Sequence, residues 1–228
     1  MANIIFIASG WGAKYGGINS FNYDLCLALP ACLDEENNRI ICVTTGDMIT
    51  REDYKYAENK NLILINVAKP DFNVDIIVEK VNSVLIDGIS WWIGHDIKTG
   101  FLAADCAHKT NSKCAIIHHM NYSAYYTYIT DDATKTDQKQ NDQKKLFEKA
   151  DVIFSVGPKL TKSANDILNE IGKLPTAIQL IPGLADIEPI NEVMTQFSAI
   201  TFGRININKR DIVKQSKLAV AAFADACN

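Results

Sequence analysis

Short apolar runs alternate with helix-period patterns almost from end to end of this sequence, and that alternation constrains the fold more than any other feature. IIFIAS at 4–9, RIICVTT at 39–45, LILINV at 62–67, SVLIDG at 83–88, CAIIHH at 114–119, DVIFSVG at 151–157 and AIQLIPG at 177–183 read as strands, with AITFGRI at 199–205 as the last. Apolar residues at 18, 21, 25, 28 and 29 keep helical spacing behind Asn19 or Ser20 as a cap. Further helices are predicted over 74–81, 97–108, 159–171 and 209–226. The polar segment TDDATKTDQKQNDQKK at 130–145 reads as a loop entering a helix that runs to Lys149. Strands separated by helices imply a parallel sheet covered on both faces, so the expected class is a doubly wound α/β fold. Ligands of such sheets gather at the carboxyl ends of the strands. The unusual residues stand just past those ends: the glycine loop after the first strand, Asp87-Gly88, HHMNY at 118–122, Gly157, and Gly203-Arg204.

The loop ASGWGAKYGGINS at 8–20 lies between the first strand and the first helix. A dinucleotide fingerprint needs Gly-x-Gly-x-x-Gly, and here Gly10 and Gly12 are followed by Tyr15 in the third place. A Walker loop needs Gly-Lys followed by Ser or Thr, and Lys14 precedes Tyr15. Both nucleotide motifs are therefore excluded, and with them the reading as a fingerprint-bearing dehydrogenase or epimerase. What remains is a glycine turn that admits an anion to the backbone N–H groups of a helix N-terminus, or one that simply makes a tight corner.

Net charge −4 and a pI near 5.6 give no electrostatic footprint for nucleic acid. No apolar run approaches the roughly 20 residues of a membrane span, and MANIIFIASG lacks the basic start of a signal peptide. The six cysteines (26, 32, 42, 106, 114 and 227) form no Cys-x-x-Cys pair and mostly sit in apolar surroundings. They are expected to be reduced, buried thiols of a cytoplasmic protein. No His-x-x-x-His spacing occurs among the four histidines, so no metal site is expected.

Taken together, the strand-end segments resemble retaining glycosyltransferases of the GT-B fold in the large GT4 family. GGINSFNYDLCLAL at 16–29 looks like that family's glycine turn and first helix, and GHDIKTG at 94–100 is similar to its His-Asp segment. AIIHHMNY at 115–122 resembles the strand ending in an active-site histidine. ADVIFSVGPKLTKSA at 150–164 and LIPGLAD at 180–186 match two further family segments. FGRININKRD at 202–211 keeps the Gly-Arg followed by a lysine five positions later, although Arg210 replaces the usual glycine. The resemblance implies a Rossmann-like acceptor-side domain over 1–196, the N-terminal half of a GT-B fold. Residues 197–228 would then be the first strand and helix of a C-terminal nucleotide-sugar-binding domain. The family's pair of glutamates with seven residues between them does not occur here.

By that resemblance the chain is the N-terminal portion of an enzyme that transfers a sugar from a nucleotide-sugar to an acceptor hydroxyl with retention, the 228 residues alone being inactive. Gly16 and Gly17 would face the donor diphosphate, with Arg204 and Lys209 stabilising charge on the leaving group. His118 or His119 would lie at the reacting sugar, and His95, Asp96 and Tyr122 on the acceptor side. The nucleotide-sugar is substrate, and no cofactor is implied. The alternative is a non-catalytic module of the same fold that binds a ligand or a protein. The apolar residues of 199–226 make self-association a further expectation, because an unpaired strand edge invites pairing.

Overall fold

A computed structural model describes residues 1–34, 37–46, 49–127, 133–183 and 224. Seven strands form one sheet in the order β3-β2-β1-β4-β5-β6-β7, every neighbouring pair parallel. They are β1 (Ala2–Ala8), β2 (Asn38–Thr44), β3 (Leu62–Asn66), β4 (Ile89–His95), β5 (Lys113–His118), β6 (Val152–Val156) and β7 (Ile178–Leu180). The helices are α1 (Gly17–Ala28), α2 (Arg51–Glu58), α3 (Val74–Asn82), α4 (Asp96–Lys109), α5 (Tyr122–Thr127), α6 (Ala133–Lys149) and α7 (Pro158–Glu170). This is the α/β, Rossmann-like architecture expected, and the strand order reverses between β1 and β4.

Alternation along the strands divides the core between two faces. Ile5, Ile7, Ile41, Val43, Trp92 and Ile116 point to one face, under buried side chains of α3, α4, α6 and α7. Phe6, Ala8, Ile40, Cys42, Ile93 and Ile117 point to the other, where Cys26 of α1 and Ala57 of α2 meet them. Central strands buried on both sides read as continuous apolar runs, which is why IIFIAS and IICVTT were legible as strands. Each large side chain so buried contributes roughly 1.5–3 kcal/mol relative to exposure. Trp92, without exposure, also donates its indole N–H to Thr110 Oγ1 at 2.9 Å.

Three expectations are corrected. SVLIDG at 83–88 is not a strand; the fourth strand is ISWWIGH at 89–95, in register with β1 from Ala2↔Ile89. The buried Asn3 occupies the backbone of the preceding segment instead. Its amide donates to Ile86 O at 2.9 Å, and its carbonyl accepts from Ile86 N at 3.0 Å. Asp87-Gly88 therefore lies before a strand, at the amino edge of the sheet. Gly88 has φ 141°, and a Cβ there would stand 2.2 Å from Met1 O. Second, the polar stretch expected as loop to 145 is helical from Ala133 onward. Third, α2 was not anticipated; Thr50 and Asp53 form a reciprocal capping box at its start.

Cys26, Cys42, Cys106 and Cys114 are buried free thiols, whereas Cys32 is exposed. No helix among the described residues is long and apolar enough to cross a membrane. The chain forms two compact units, one of Met1–Asn121 with Asn141–Ile181 and one of Tyr122–Gln140 with Pro182–Asn228. The first holds the whole sheet. In the second, α5 and the opening turns of α6 are described. The expected strand at 199–205, the helix at 209–226 and the boundary at 196/197 lie outside the described residues.

Candidate functional site

The reversal of strand order puts the carboxyl ends of β1 and β4 side by side, and two unusual junctions follow them. After β1, the glycines serve distinct needs. Gly10 makes room for the ring of Tyr15, whose Cγ would stand 2.5 Å from an added Cβ. Gly12 (φ 91°, ψ 175°) and Gly16 (φ 97°, ψ 173°) adopt a backbone region open essentially to glycine alone. Gly17 opens α1 in free space, and no side chain caps that helix start. The N–H groups of the first helical turn therefore remain available, as an anion would require. The loop is held from beneath by the buried Asn19, which donates to Tyr15 O at 3.0 Å and bonds Ser9.

After β4 there is no loop: His95 ends the strand and Asp96 begins α4. The chain turns within one residue because Asp96 takes φ 43°, in the left-handed region. Gly94 and Gly100 permit the turn, since a Cβ on Gly94 would meet Gly100 Cα at 2.5 Å. The amide of His95 donates to Thr99 Oγ1 at 2.9 Å.

This turn brings Asp96 beside the end of β5. Its Oδ1 lies 3.0 Å from His118 Nδ1, and its Oδ2 accepts the backbone N–H of His119 at 2.9 Å. The amide of Gln143, from α6, reaches Oδ1 at 3.5 Å and donates to Met120 O at 3.1 Å. Successive residues of a strand face opposite ways. His118 accordingly packs edge-on against Phe147, and His119 against Phe21 of α1. On the α1 side, His119 Nε2 is 2.9 Å from His95 Nδ1, and His95 Nε2 is 2.8 Å from Asn22 Oδ1.

Burial dominates the electrostatics. It depresses the His95 pKa to about 3, helped by the neighbouring His119. His119 falls to about 4, again mainly by burial, against an opposing pull from Asp96. Both rings are neutral at pH 7, so neither carries positive charge toward a phosphate. Trp11 Nε1, Thr44 Oγ1, Thr45 Oγ1, Asn66 Oδ1, His118 Nε2 and Ser155 Oγ are the buried side-chain polar atoms without a partner among the described residues. All lie at the carboxyl edge of the sheet or on the loop leaving β1. Unmet buried polar groups are rare in folded proteins and cost about 1–3 kcal/mol each. Their concentration makes this the polar edge of the sheet.

The structure thus gathers His95, Asp96, His118 and His119 into one cluster, linked through Asn22 to α1, the helix that follows the Gly16-Gly17 turn. Every side-chain nitrogen or oxygen of His95 and Asp96 is engaged, within the cluster or by Asn22, and His118 is fully buried, whereas His119 is partly exposed. Tyr122 opens α5 in the second compact unit. Arg204 and Lys209 lie outside the described residues. Asn22 and Gln143 were missed by sequence reasoning. Asn22 carried a signal, a polar residue on the inner face of a helix whose apolar positions include 18, 25 and 29. Gln143 stood among like residues in a polar stretch, and only its place one turn before Phe147 marked it. Among the described residues no group of three His, Cys, Asp or Glu side chains is placed to hold a metal ion.

A family model described as GT4-conflict, family 4 glycosyltransferase in conflict systems, matches residues 5–228. No curated protein matches the chain. Among solved structures, apo UGT2 of Phytolacca americana matches with a TM-score of 0.50 at 9% identity, covering 81% of this chain and 52% of that one. LpCGTa in complex with UDP matches with a TM-score of 0.50 at 12% identity, over 81% and 55%. The Phytolacca americana UGT2 complex with UDP-2-fluoro-glucose and pterostilbene matches with a TM-score of 0.50 at 8% identity, over 81% and 53%. At these identities the likeness is one of fold, and the chain spans about half the length of the structures it matches.

Proposed function

Because the chain belongs to the family 4 glycosyltransferases of conflict systems, we propose that it is the N-terminal, acceptor-side portion of an enzyme transferring a sugar from a nucleotide-sugar to an acceptor hydroxyl, with retention at the anomeric carbon. The observation that carries this reading is the hydrogen-bonded cluster of His95, Asp96, His118 and His119 at the switch point of the sheet, joined by α1 to an uncapped glycine turn. The solved likenesses holding UDP and UDP-2-fluoro-glucose support a nucleotide-sugar as the ligand of this fold.

On this reading the roles of Gly16, Gly17, Tyr122, Arg204 and Lys209 are those the family resemblance implies, and those of the histidine cluster rest on its hydrogen bonds. The first-turn N–H groups of α1, reached over Gly16 and Gly17, face the donor diphosphate, as a helix N-terminus favours negative charge. Arg204 and Lys209 supply the countercharge as the glycosidic bond breaks. A neutral His119 contacts a hydroxyl of the reacting sugar, while His95 and Asp96 hold it and His118 lies behind. Tyr122 belongs to the acceptor side. No metal or cofactor is called upon.

The test is an assay of the full-length protein with UDP- and GDP-sugars, following the anomeric proton of product by NMR. Retained configuration supports the reading, and inverted product refutes the retaining step. Tight nucleotide-sugar binding with no turnover would establish the binding module instead. The 228-residue chain alone is expected to show no transfer.

A further inference from the structure

We propose that Asn22 is a positioning residue of the site: its side-chain carbonyl sets the direction of hydrogen bonding through His95 into His119, so that His119 presents a bare Nδ1 to a sugar hydroxyl. The identity of that hydroxyl rests on the glycosyltransferase reading; the direction of the relay does not.

Donors and acceptors set the direction one bond at a time. Asn22 is fully buried, and its Oδ1 can only accept. His95 Nε2, 2.8 Å away, must therefore carry the ring hydrogen. His95 is neutral, so its Nδ1 has a lone pair and accepts from His119 Nε2 at 2.9 Å. The single ring hydrogen of neutral His119 is thereby placed on Nε2. Its Nδ1 is left as an acceptor on a partly exposed side chain, whose hydrogen bonds among the described residues run through Nε2 and the backbone N–H.

Two thiols flank the Asn22 amide in the core. Cys26 Sγ donates to Oδ1 at 3.6 Å, and Nδ2 donates to Cys42 Sγ at 3.4 Å. The ring of His119 is held by the edge of Phe21, and its backbone by Asp96 Oδ2. Both ring positions of His95 are consumed by this chain of bonds, so His95 transmits and does not itself touch ligand. An acceptor-only nitrogen takes a hydrogen bond from a hydroxyl and offers none to a phosphate oxygen. A site built this way discriminates against the deoxy analogue, whose absent hydroxyl leaves the nitrogen unpaired.

Two-bond 1H–15N spectra of the ring nitrogens in the 228-residue chain read the relay directly. The expected result at pH 7 is a hydrogen on Nε2 in both His95 and His119. A hydrogen on Nδ1 in either ring reverses or breaks the relay and overturns the proposal. In Asn22→Leu, with the fold checked by the amide spectrum, both rings should become tautomer mixtures; unchanged tautomers also overturn it. If Asn22→Leu does not fold, the wild-type spectrum alone decides. In the full-length enzyme, Asn22→Leu should lower kcat/KM for the intact donor about 10–100-fold. It should also shrink the preference over the deoxy donor that fails to pair with His119. Inactive full-length protein with the expected tautomers refutes both the glycosyltransferase reading and the hydroxyl contact that depends on it. Active enzyme with reversed tautomers refutes the relay and leaves that reading standing.

Discussion

Lowering the pH should destabilise the first compact unit through two buried imidazoles. His95 and His119 have folded-state pKa values of about 3 and about 4, against an ordinary 6.5 for an unfolded chain. The protonated form is the one that burial disfavours, so the unfolded chain binds more protons and stability falls as pH falls. The contribution is fully present above pH 6.5 and is lost progressively toward the folded values. At pH 5 each unfolded histidine has gained about 2 kcal/mol from protonation while its folded counterpart has gained almost nothing. The pair should therefore remove about 4 kcal/mol between pH 8 and pH 5, a large part of the 5–15 kcal/mol typical of a domain. Urea titrations of the wild type and of His95→Gln/His119→Gln at both pH values isolate this difference, because His108, His118 and the carboxylates are common to both. Wild type losing less than about 1 kcal/mol more than the double variant would refute the reasoning. So would a ring of either histidine titrating near pH 6.5 by NMR, a measurement that stands even where the variant does not fold.

Gly94→Ala should cost at least about 1–3 kcal/mol in a thermal or urea melt, since its Cβ would meet backbone at 2.5 Å and β4 could no longer run directly into α4. Gly17→Ala, in open space, should leave stability within about 1 kcal/mol but weaken UDP binding to the full-length protein about tenfold by calorimetry; unchanged affinity would reduce the glycines to a corner. Asp96→Asn tolerates the left-handed backbone and should destabilise by about 1–2 kcal/mol less than Asp96→Ala, which strips the acceptors from His118 and His119; equal melts would deny the cluster its structural part. Deleting 197–228 should alter oligomeric state or solubility more than the melting of the first unit; unchanged mass by light scattering with a collapsed melt would make the segment part of one domain.

Local pattern sufficed wherever a segment's own neighbours decide its state. Buried strands such as IIFIAS and amphipathic helices such as 159–171 carry their period within a dozen residues, and their alternation implied the parallel, doubly wound sheet and its ligand edge. The turn at Gly16-Gly17 and the histidines at the end of β5 were visible for the same reason, as residue types out of place at strand ends. Long-range partners decided the rest. SVLIDG and ISWWIGH are both apolar, and the choice between them fell to Asn3, which pairs with Ile86 from 83 residues away. Residues 133–145 look like loop by composition, yet they belong to a helix that places Leu146 and Phe147 under the sheet and Gln143 against Asp96. The candidate site draws on α1, the β4–α4 junction, the end of β5 and α6. No spacing in the sequence tells which nitrogen of which histidine meets which acceptor. That assignment depends on distances of about 3 Å between elements, which only the packed sheet and its helices can fix.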